Sequence, residues 1–188
     1  MSFDPNDYNE LTVTESPIPG LFVVKLPVHG DNRGWFKENY QKEKMEALGL
    51  PAFDIVQNNF SYNVDRGVTR GLHAEPWDKF ISLASGSAWA GWIDLRKGDS
   101  YGTTFGVELN PGTAVFVPMG VANGYQTLEE NVVYTYLVNA HWSPDAKYTF
   151  VNAFDPAVDV GWPLPKDQAI VSDKDAAHPM LNDVESEF

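Results

Sequence analysis

Short runs of aromatic and β-branched residues alternate with glycines and prolines along most of the chain. Clear runs occupy residues 21–24, 80–83, 89–93, 114–117 and 132–138. The 15 glycines and 13 prolines fall mainly between such runs, and they are residues that interrupt strands and form turns. Many short strands separated by turn residues predict an all-β fold, either a sandwich or a barrel.

Helical periodicity is nearly absent outside one short segment. Residues 40–48 are predicted to form a helix, which Gly49 would end. The chain shows no internal repeat, low-complexity tract or linker, so its 188 residues predict a single domain spanning 1–188. The polar, acidic ends, about 1–17 and 166–188, are expected to form an N-terminal arm and a C-terminal tail.

The run 132–138 alternates in a way that bears on chemistry. Because successive side chains of a strand point to opposite faces, Tyr134, Tyr136 and Val138 share one face. If that face lines the interior of a barrel, two phenols point into the same cavity. Tyrosine is also common in strands for packing reasons alone, so the pattern leaves both interpretations open.

The balance of charge excludes some partners. The chain carries 26 acidic and 13 basic side chains, a formal net charge of −13. Nucleic acid would be repelled, although a phosphorylated small molecule could bind where a few Arg and Lys side chains converge. The absence of cysteine excludes disulfides, thiolate zinc sites and cysteine nucleophiles.

Targeting features are also lacking. Residues 1–15 have neither a basic segment nor an apolar core of the signal-peptide type. The longest apolar runs are far shorter than a membrane span. We therefore expect a protein of the cytoplasm that binds no membrane.

The most suggestive cluster of ionisable residues lies between positions 70 and 79. Arg70, His73 and Lys79 stand within ten residues of an otherwise acidic chain. If the two cations face the same side, they create an electropositive pocket around one titratable imidazole, which is suited to a general base acting on a phosphorylated substrate. The alternative is a structural histidine flanked by two solvated cations.

Three other segments offer binding groups, each with a plainer alternative. The segment 31–38 contains Arg33 and two aromatic residues that could grip a planar or phosphorylated ligand, or it is a glycine turn leading into a strand. Residues 57–61 supply amides and a hydroxyl, which are equally typical of turns. Asp155 precedes a proline and is either a turn residue or a partner that orients an imidazole.

Metal catalysis and hydrolase chemistry find little support. Jelly-roll barrels often bind metal with two closely spaced histidines, a carboxylate and a distant third histidine. Here His73 and Glu75 would supply the first part and Asn123 would occupy the distant position, which makes a poor ligand set. No Gly-x-Ser-x-Gly elbow and no glycine-rich phosphate loop is present. We expect no metal and no cofactor.

Several motifs follow one another in an order that is more specific than any one of them. They are Asp31-x-Arg33-Gly34-x-Phe36-x-Glu38, Gln57-x-Asn59-x-Ser61, Arg70-Gly71-Leu72-His73, Asp94-Leu95-Arg96, Pro118-x-Gly120-x-Ala122-x-Gly124-Tyr125, Asp155-Pro156 and Trp162-Pro163. From about residue 17 to 183, this series resembles the dTDP-4-dehydrorhamnose 3,5-epimerase family. The run Arg-Gly-Leu-His after Gln-x-Asn-x-Ser is the most specific part.

The resemblance implies a cupin-type β-jelly roll with short peripheral helices, a homodimer and an epimerase that needs no cofactor. Such enzymes invert C3 and C5 of dTDP-4-dehydro-6-deoxy-D-glucose in dTDP-L-rhamnose synthesis, so a dTDP-sugar is the expected substrate. The alternatives are a mono-epimerase or ketoisomerase of another deoxysugar, and a sugar-nucleotide-binding cupin without catalysis. A metal-dependent cupin oxygenase is disfavoured because this sequence lacks the metal ligands that such an enzyme needs.

Residue roles follow from the matched positions. By resemblance, His73 is the base, Asp155 its charge partner, Tyr136 the acid on the opposite face, and Lys79 the cation that steadies an enolate. Contacts to the sugar diphosphate are expected from Arg70, Gln57 and Asn59. An arm that grips the nucleotide across a dimer interface would carry Arg33, Phe36 and Glu38.

The sequence departs from the family pattern at a few positions. Asn123 stands where the family usually has a histidine, which alters any diphosphate or sugar contact made there. His141 stands where an aromatic residue would stack on the base, and Asn123 and His141 are both expected among the substrate-binding residues. Residues 74–78 are also atypical, and the connection to Lys79 is short.

Overall fold

The protein is described by a computed structural model that covers residues 3–188, so the first two residues of the predicted N-terminal arm lie outside it. Its strands are β1 (Thr12–Glu15), β2 (Phe22–Lys25), β3 (Val28–Asp31), β4 (Gly34–Lys37), β5 (Gln57–Asn63), β6 (Val68–Ala74), β7 (Lys79–Ser85), β8 (Ala88–Asp94), β9 (Thr104–Leu109), β10 (Thr113–Val117), β11 (Val121–Thr127), β12 (Val132–Val138), β13 (Thr149–Phe150) and β14 (Ile170–Val171). The helices are α1 (Lys42–Ala47) and α2 (Asp173–Ala176), with short 3-10 turns at Pro5–Asp7, Lys166–Gln168 and Leu181–Asp183.

Strands β5 to β12 form two antiparallel sheets that face each other. The chain crosses between the sheets, so the order is β10-β7-β12-β5 in the first and β6-β11-β8-β9 in the second. Strands β2 and β1 extend the first sheet, and β13 and β14 both pair with β6 in the second. This order is that of a jelly roll, and it confirms the expected all-β, cupin-type fold.

The one predicted helix is confirmed as α1. The Gln41 side chain caps it by accepting a hydrogen bond from the Lys44 N–H at 2.7 Å. Gly49 follows with a φ of +97°, a left-handed conformation that suits glycine and ends the helix. Met45 is buried and packs with Phe53 on the outer face of the first sheet. No helix formed by residues 3–188 is long and apolar enough to cross a membrane.

Apolar side chains fill three layers. The central layer between the sheets contains Ile81, Leu83 and Trp92, all fully buried. The outer face of the second sheet is covered by the chain after β13, with Leu181 and Phe188 packed against its buried cluster. The C-terminal tail predicted from composition is therefore docked on the barrel, and this docking brings α2 beside β6.

A hairpin of β3 and β4 stands apart from the two sheets. Lys37, at its end, joins it to the barrel because its Nζ donates to the carbonyls of Leu83 and Pro111, each at 2.8 Å. Burial lowers the pKa of Lys37 to about 8. The hairpin aromatic residues Trp35 and Phe36 remain exposed.

The Lys37 anchor predicts a specific pH dependence of stability. Its folded-state pKa, about 8, lies below its unfolded value of 10.5. The unfolded chain therefore binds more protons between these values, and the free energy of unfolding rises with pH across that window. We expect the stability of the wild type relative to Lys37→Met to increase from pH 8 to pH 10.5, as measured by urea unfolding. A constant difference would show that Lys37 titrates normally in the folded protein.

Candidate active site

A cavity of about 220 Å³ opens between the two sheets. Side chains from the first sheet line one side and those from the second sheet line the other. The lining residues are Ser61, Arg70, His73, Glu75, Lys79, Ile81, Asn123, Tyr125, Tyr134 and Tyr136. Arg70, His73 and Lys79 thus converge, as the sequence indicated, and both tyrosines of β12 face the same space.

His73 is held by a carboxylate that the sequence analysis did not select. His73 Nε2 lies 3.2 Å from Asp175 Oδ1, and Asp175 Oδ2 accepts a hydrogen bond from the Gly71 N–H at 3.1 Å. Burial opposes the ionisation of Asp175, but the hydrogen bonds from His73 and Gly71 outweigh it and lower its pKa. An ionised Asp175 accepts the Nε2 proton of His73, which leaves Nδ1 as the basic nitrogen.

Local structure explains how Asp175 reaches this position. Ser172 caps α2, because its Oγ accepts a hydrogen bond from the Asp175 N–H at 3.1 Å. On the other side, Gly71 has a φ of +118°, and a side chain there would clash with Gly124 Cα at 2.5 Å. Only glycine fits this contact between β6 and β11, and its N–H meets the carboxylate.

The expectation that Asp155 pairs with His73 is wrong. The Asp155 carboxylate accepts hydrogen bonds from the N–H groups of Ala157 and Leu181, at 2.8 and 2.5 Å. It therefore holds its own turn and fixes the C-terminal segment against it. This is the turn role that the sequence left open, and the charged partner of the imidazole comes from Asp175 instead.

Tyr136 enters the cavity from β12 of the first sheet, while His73 enters from β6 of the second. Burial, with a smaller contribution from the Glu75 carboxylate, raises the pKa of Tyr136 to about 12. The phenol therefore keeps its proton throughout the neutral range. Tyr134 lies deeper and is 2% exposed, and its ring stacks on Tyr125 with centroids 4.0 Å apart.

Lys79 is buried and its charge is balanced. Its Nζ forms an ion pair with the Glu75 carboxylate and donates to the amide oxygen of Asn123. Glu75 is held in turn by the Trp77 indole N–H at 3.1 Å. Two of the positions that depart from the family pattern, Glu75 and Asn123, thus contact the same cation.

The remaining residues expected to bind substrate lie at the rim or outside the cavity. Arg70 is exposed at the rim, and its Nε donates to Asn63 Oδ1 at 3.1 Å. Gln57 and Asn59 hydrogen-bond each other at 2.6 Å and do not line the cavity itself. They share a strand face with Ser61, which does line it.

The hairpin residues lie away from the cavity of their own chain. Arg33 pairs with Asp31, and Glu38 pairs with Lys44 at 2.6 Å. Phe36 is 65% exposed on the hairpin. A single copy of the chain therefore does not bring these residues to His73.

His141, expected to bind substrate from a position where an aromatic would stack on the base, does not line the cavity. His141 is exposed, whereas the rings beside His73 are Phe150, 5.3 Å away between centroids, and His178, 5.2 Å away. Sequence reasoning missed Asp175 and His178 as site residues. The only local signal was a helix-capping serine followed by acidic residues, Ser172 to Asp175.

Comparison with known proteins identifies a family. The family described as dTDP-4-dehydrorhamnose 3,5-epimerase matches residues 15–183. The RmlC homolog of Streptococcus pyogenes is 49% identical over 174 residues, covering 89% of this chain and 87% of that protein. The dTDP-4-dehydrorhamnose 3,5-epimerase of Mycobacterium tuberculosis is 32% identical over 178 residues, covering 90% and 87%.

A solved structure is similar over nearly the whole chain. RmlC from Streptococcus suis, determined in complex with dTDP-D-xylose, superposes with a TM-score of 0.90 at 47% identity and covers 94% of both chains. The family match spans far more than half of the sequence, and the relatives are similar from end to end. This chain belongs to the dTDP-4-dehydrorhamnose 3,5-epimerase family.

Proposed function

We propose that this epimerase uses His73 as its base and Tyr136 as its acid to invert C3 and C5 of dTDP-4-dehydro-6-deoxy-D-glucose in dTDP-L-rhamnose synthesis. The observation that carries the assignment is their placement: the two side chains enter one cavity from opposite sheets. Inversion at carbon needs a proton removed on one face and another delivered on the opposite face. The dTDP-sugar bound to the Streptococcus suis relative supports the substrate class.

The reaction begins with removal of a proton beside the C4 ketone. Both C3 and C5 flank that ketone, so loss of either proton gives an enolate. His73 Nδ1 is the base, because Nε2 donates to Asp175 and the carboxylate stabilises the imidazolium that forms. The Lys79 ammonium, held by Glu75 and Asn123, supplies positive charge for the developing enolate oxygen.

Protonation from the opposite side completes the inversion. The Tyr136 phenol holds its proton at neutral pH because its pKa is about 12, and it delivers that proton to the enolate carbon. At the rim, Arg70 is the cation available to the diphosphate, and Gln57 and Asn59 lie farther along β5 from its Asn63 contact. Every step uses groups of the polypeptide.

A second copy of the chain completes this proposal. Strand β5 is an edge of the first sheet, and its outward residues Phe60 and Tyr62 are exposed. Together with the hairpin residues Trp35 and Phe36, Phe60 lines an open groove of about 410 Å³. Edge strands and apolar patches of this kind are normally covered. A homodimer covers them and carries Arg33 toward the partner's nucleotide. A cytoplasmic location stays a prediction from the sequence.

The assignment of Tyr136 is tested by separating exchange from inversion. Tyr136→Phe removes the proton donor and leaves the base, so deuterium from deuterated water should still enter the substrate while little inverted product forms. NMR at C3 and C5 measures both, and exchange at both carbons distinguishes a double from a single epimerase. Tyr134→Phe, at the deeper ring, is the matched control and should epimerise normally. The opposite result for the two variants would reverse the assignment.

The assignment of Asp175, rather than Asp155, as the charge partner of His73 has its own test. Asp175→Asn leaves the imidazole without an anionic partner, so solvent exchange should slow by about 10²-fold or more. Asp155→Asn is the control, since within residues 3–188 that carboxylate accepts its hydrogen bonds from the N–H groups of Ala157 and Leu181. It should lower the melting temperature and leave the exchange rate near wild type. Equal loss of exchange in both variants contradicts the assignment.

If the protein is a homodimer, a single substitution in the covered face should lower the mass of the particle in solution. Phe60→Glu puts a charge into the covered face and should reduce the particle from twice the chain mass of 20.9 kDa to one chain. Ile170→Glu places the same charge on an exposed apolar residue of β14 and should leave the dimer intact. Light scattering after gel filtration measures the mass. A monomeric wild type would refute the proposal.

A further inference from the structure

Three metal-ligating side chains meet beside the base. The ligand atoms of His73, Asp175 and His178 all lie within 4.8 Å of one another. Asp175 Oδ1 is 3.2 Å from His73 Nε2 and 3.7 Å from His178 Nε2. Zinc bonds to such atoms at about 2.0–2.2 Å, so tetrahedral zinc places neighbouring ligand atoms about 3.3–3.6 Å apart. The two separations from Asp175 Oδ1 are close to those that a zinc ion requires, and the two histidine nitrogens lie within 4.8 Å of each other.

His178 has no place in the epimerase mechanism. Its side chain is 95% buried, with 5% exposure, and neither ring nitrogen makes a hydrogen bond within residues 3–188. Its ring is nevertheless fixed, because it stacks on Phe150 with centroids 4.7 Å apart and an interplanar angle of 16°. His178 is therefore a buried, fixed imidazole whose nitrogens lack hydrogen-bond partners in the described part of the chain and whose Nε2 lies 3.7 Å from a carboxylate oxygen. These are the properties of a metal ligand.

The Asp175 carboxylate is also oriented in a way that suits metal binding. The Gly71 N–H engages Asp175 Oδ2, which leaves Oδ1 between the two imidazoles. Asp175 and His178 are three residues apart at the end of α2, and His73 faces them from β6. Hydrogen bonds that orient a ligand in this way strengthen metal sites.

We propose that His73, Asp175 and His178 bind a divalent transition-metal ion, with zinc the best match, and that the bound ion inhibits the epimerase. Metal binding stands on the geometry alone, whereas inhibition rests on the proposed role of His73. As the bond from the metal to Nε2 forms, the Nε2 proton can no longer remain there. The neutral ring then carries its one proton on Nδ1, so the basic nitrogen is lost. The active enzyme is the metal-free form.

Calorimetry tests the site directly. The intact protein, freed of metal by a chelator, is titrated with ZnCl₂ and should bind one ion per chain. MgCl₂ should give no heat, since magnesium prefers oxygen ligands. His178→Phe keeps a ring stacked on Phe150 and removes both ligand nitrogens, so its affinity should fall about tenfold or more. His29→Gln, at an exposed histidine of the hairpin, should bind zinc like the wild type.

Two results would overturn the site: a wild type that binds no zinc, or a His178→Phe protein that binds it with wild-type affinity. Circular dichroism and a melting curve confirm that the variant is folded. Where the variant proves unstable, His178→Gln replaces it with the same expectation for zinc affinity.

The exchange assay tests inhibition. Zinc at saturating concentration should abolish deuterium exchange in the wild type, and a chelator should restore it. His178→Phe should need about tenfold more zinc for the same fractional loss of its own activity. An enzyme that stays active when calorimetry shows the site filled refutes the inhibition and leaves the epimerase assignment intact. A protein that never exchanges refutes that assignment, and calorimetry still decides the metal site.

Discussion

The carboxylate of Asp175 is the contact on which the active site depends. It accepts hydrogen bonds from the Gly71 N–H and from the His73 ring, while the Asp175 backbone N–H donates to the Ser172 cap of α2. The tautomer of the base, and hence which nitrogen is free to react, is set by this contact. Since α2 lies in the segment that covers the second sheet, the chemistry of His73 depends on how residues 151–188 pack.

The cavity concentrates positive charge within an acidic protein. With a net charge of −13, the chain as a whole repels an anionic sugar nucleotide. The cavity nevertheless gathers Arg70, His73 and Lys79. Glu75 balances the positive charge of Lys79 by an ion pair before substrate arrives. Burial is the main cause of the raised pKa of Tyr136 and Glu75 adds to it, so the same carboxylate steadies the cation and disfavours ionisation of the acid.

Local patterns predicted most of the fold. Runs of β-branched and aromatic residues between glycines located β7, β8, β10 and β12, and Gly49 located the end of α1. Strand alternation correctly put Tyr134 and Tyr136 on one face. These features depend on neighbouring residues, which the sequence displays directly.

The partner of the base depends instead on a contact between residues 102 positions apart. Asp155, Asp173 and Asp175 are all aspartates in the last quarter of the chain, and nothing local singles out the one that meets the imidazole. Only the docking of the C-terminal segment on the barrel decides which one meets His73. The ring beside His73 was misassigned for the same reason, because His178 reaches it through that docking and His141 does not.

The position of α2 in the chain also sets when, during synthesis, Asp175 becomes available to His73. Both sheets are built from residues that precede it, with only β14 of the strand list lying beyond residue 150. Those strands therefore leave the ribosome before Asp175 does. A nascent chain at that stage has His73 but not the carboxylate that pairs with it, so the pair is completed only when the last part of the described chain emerges.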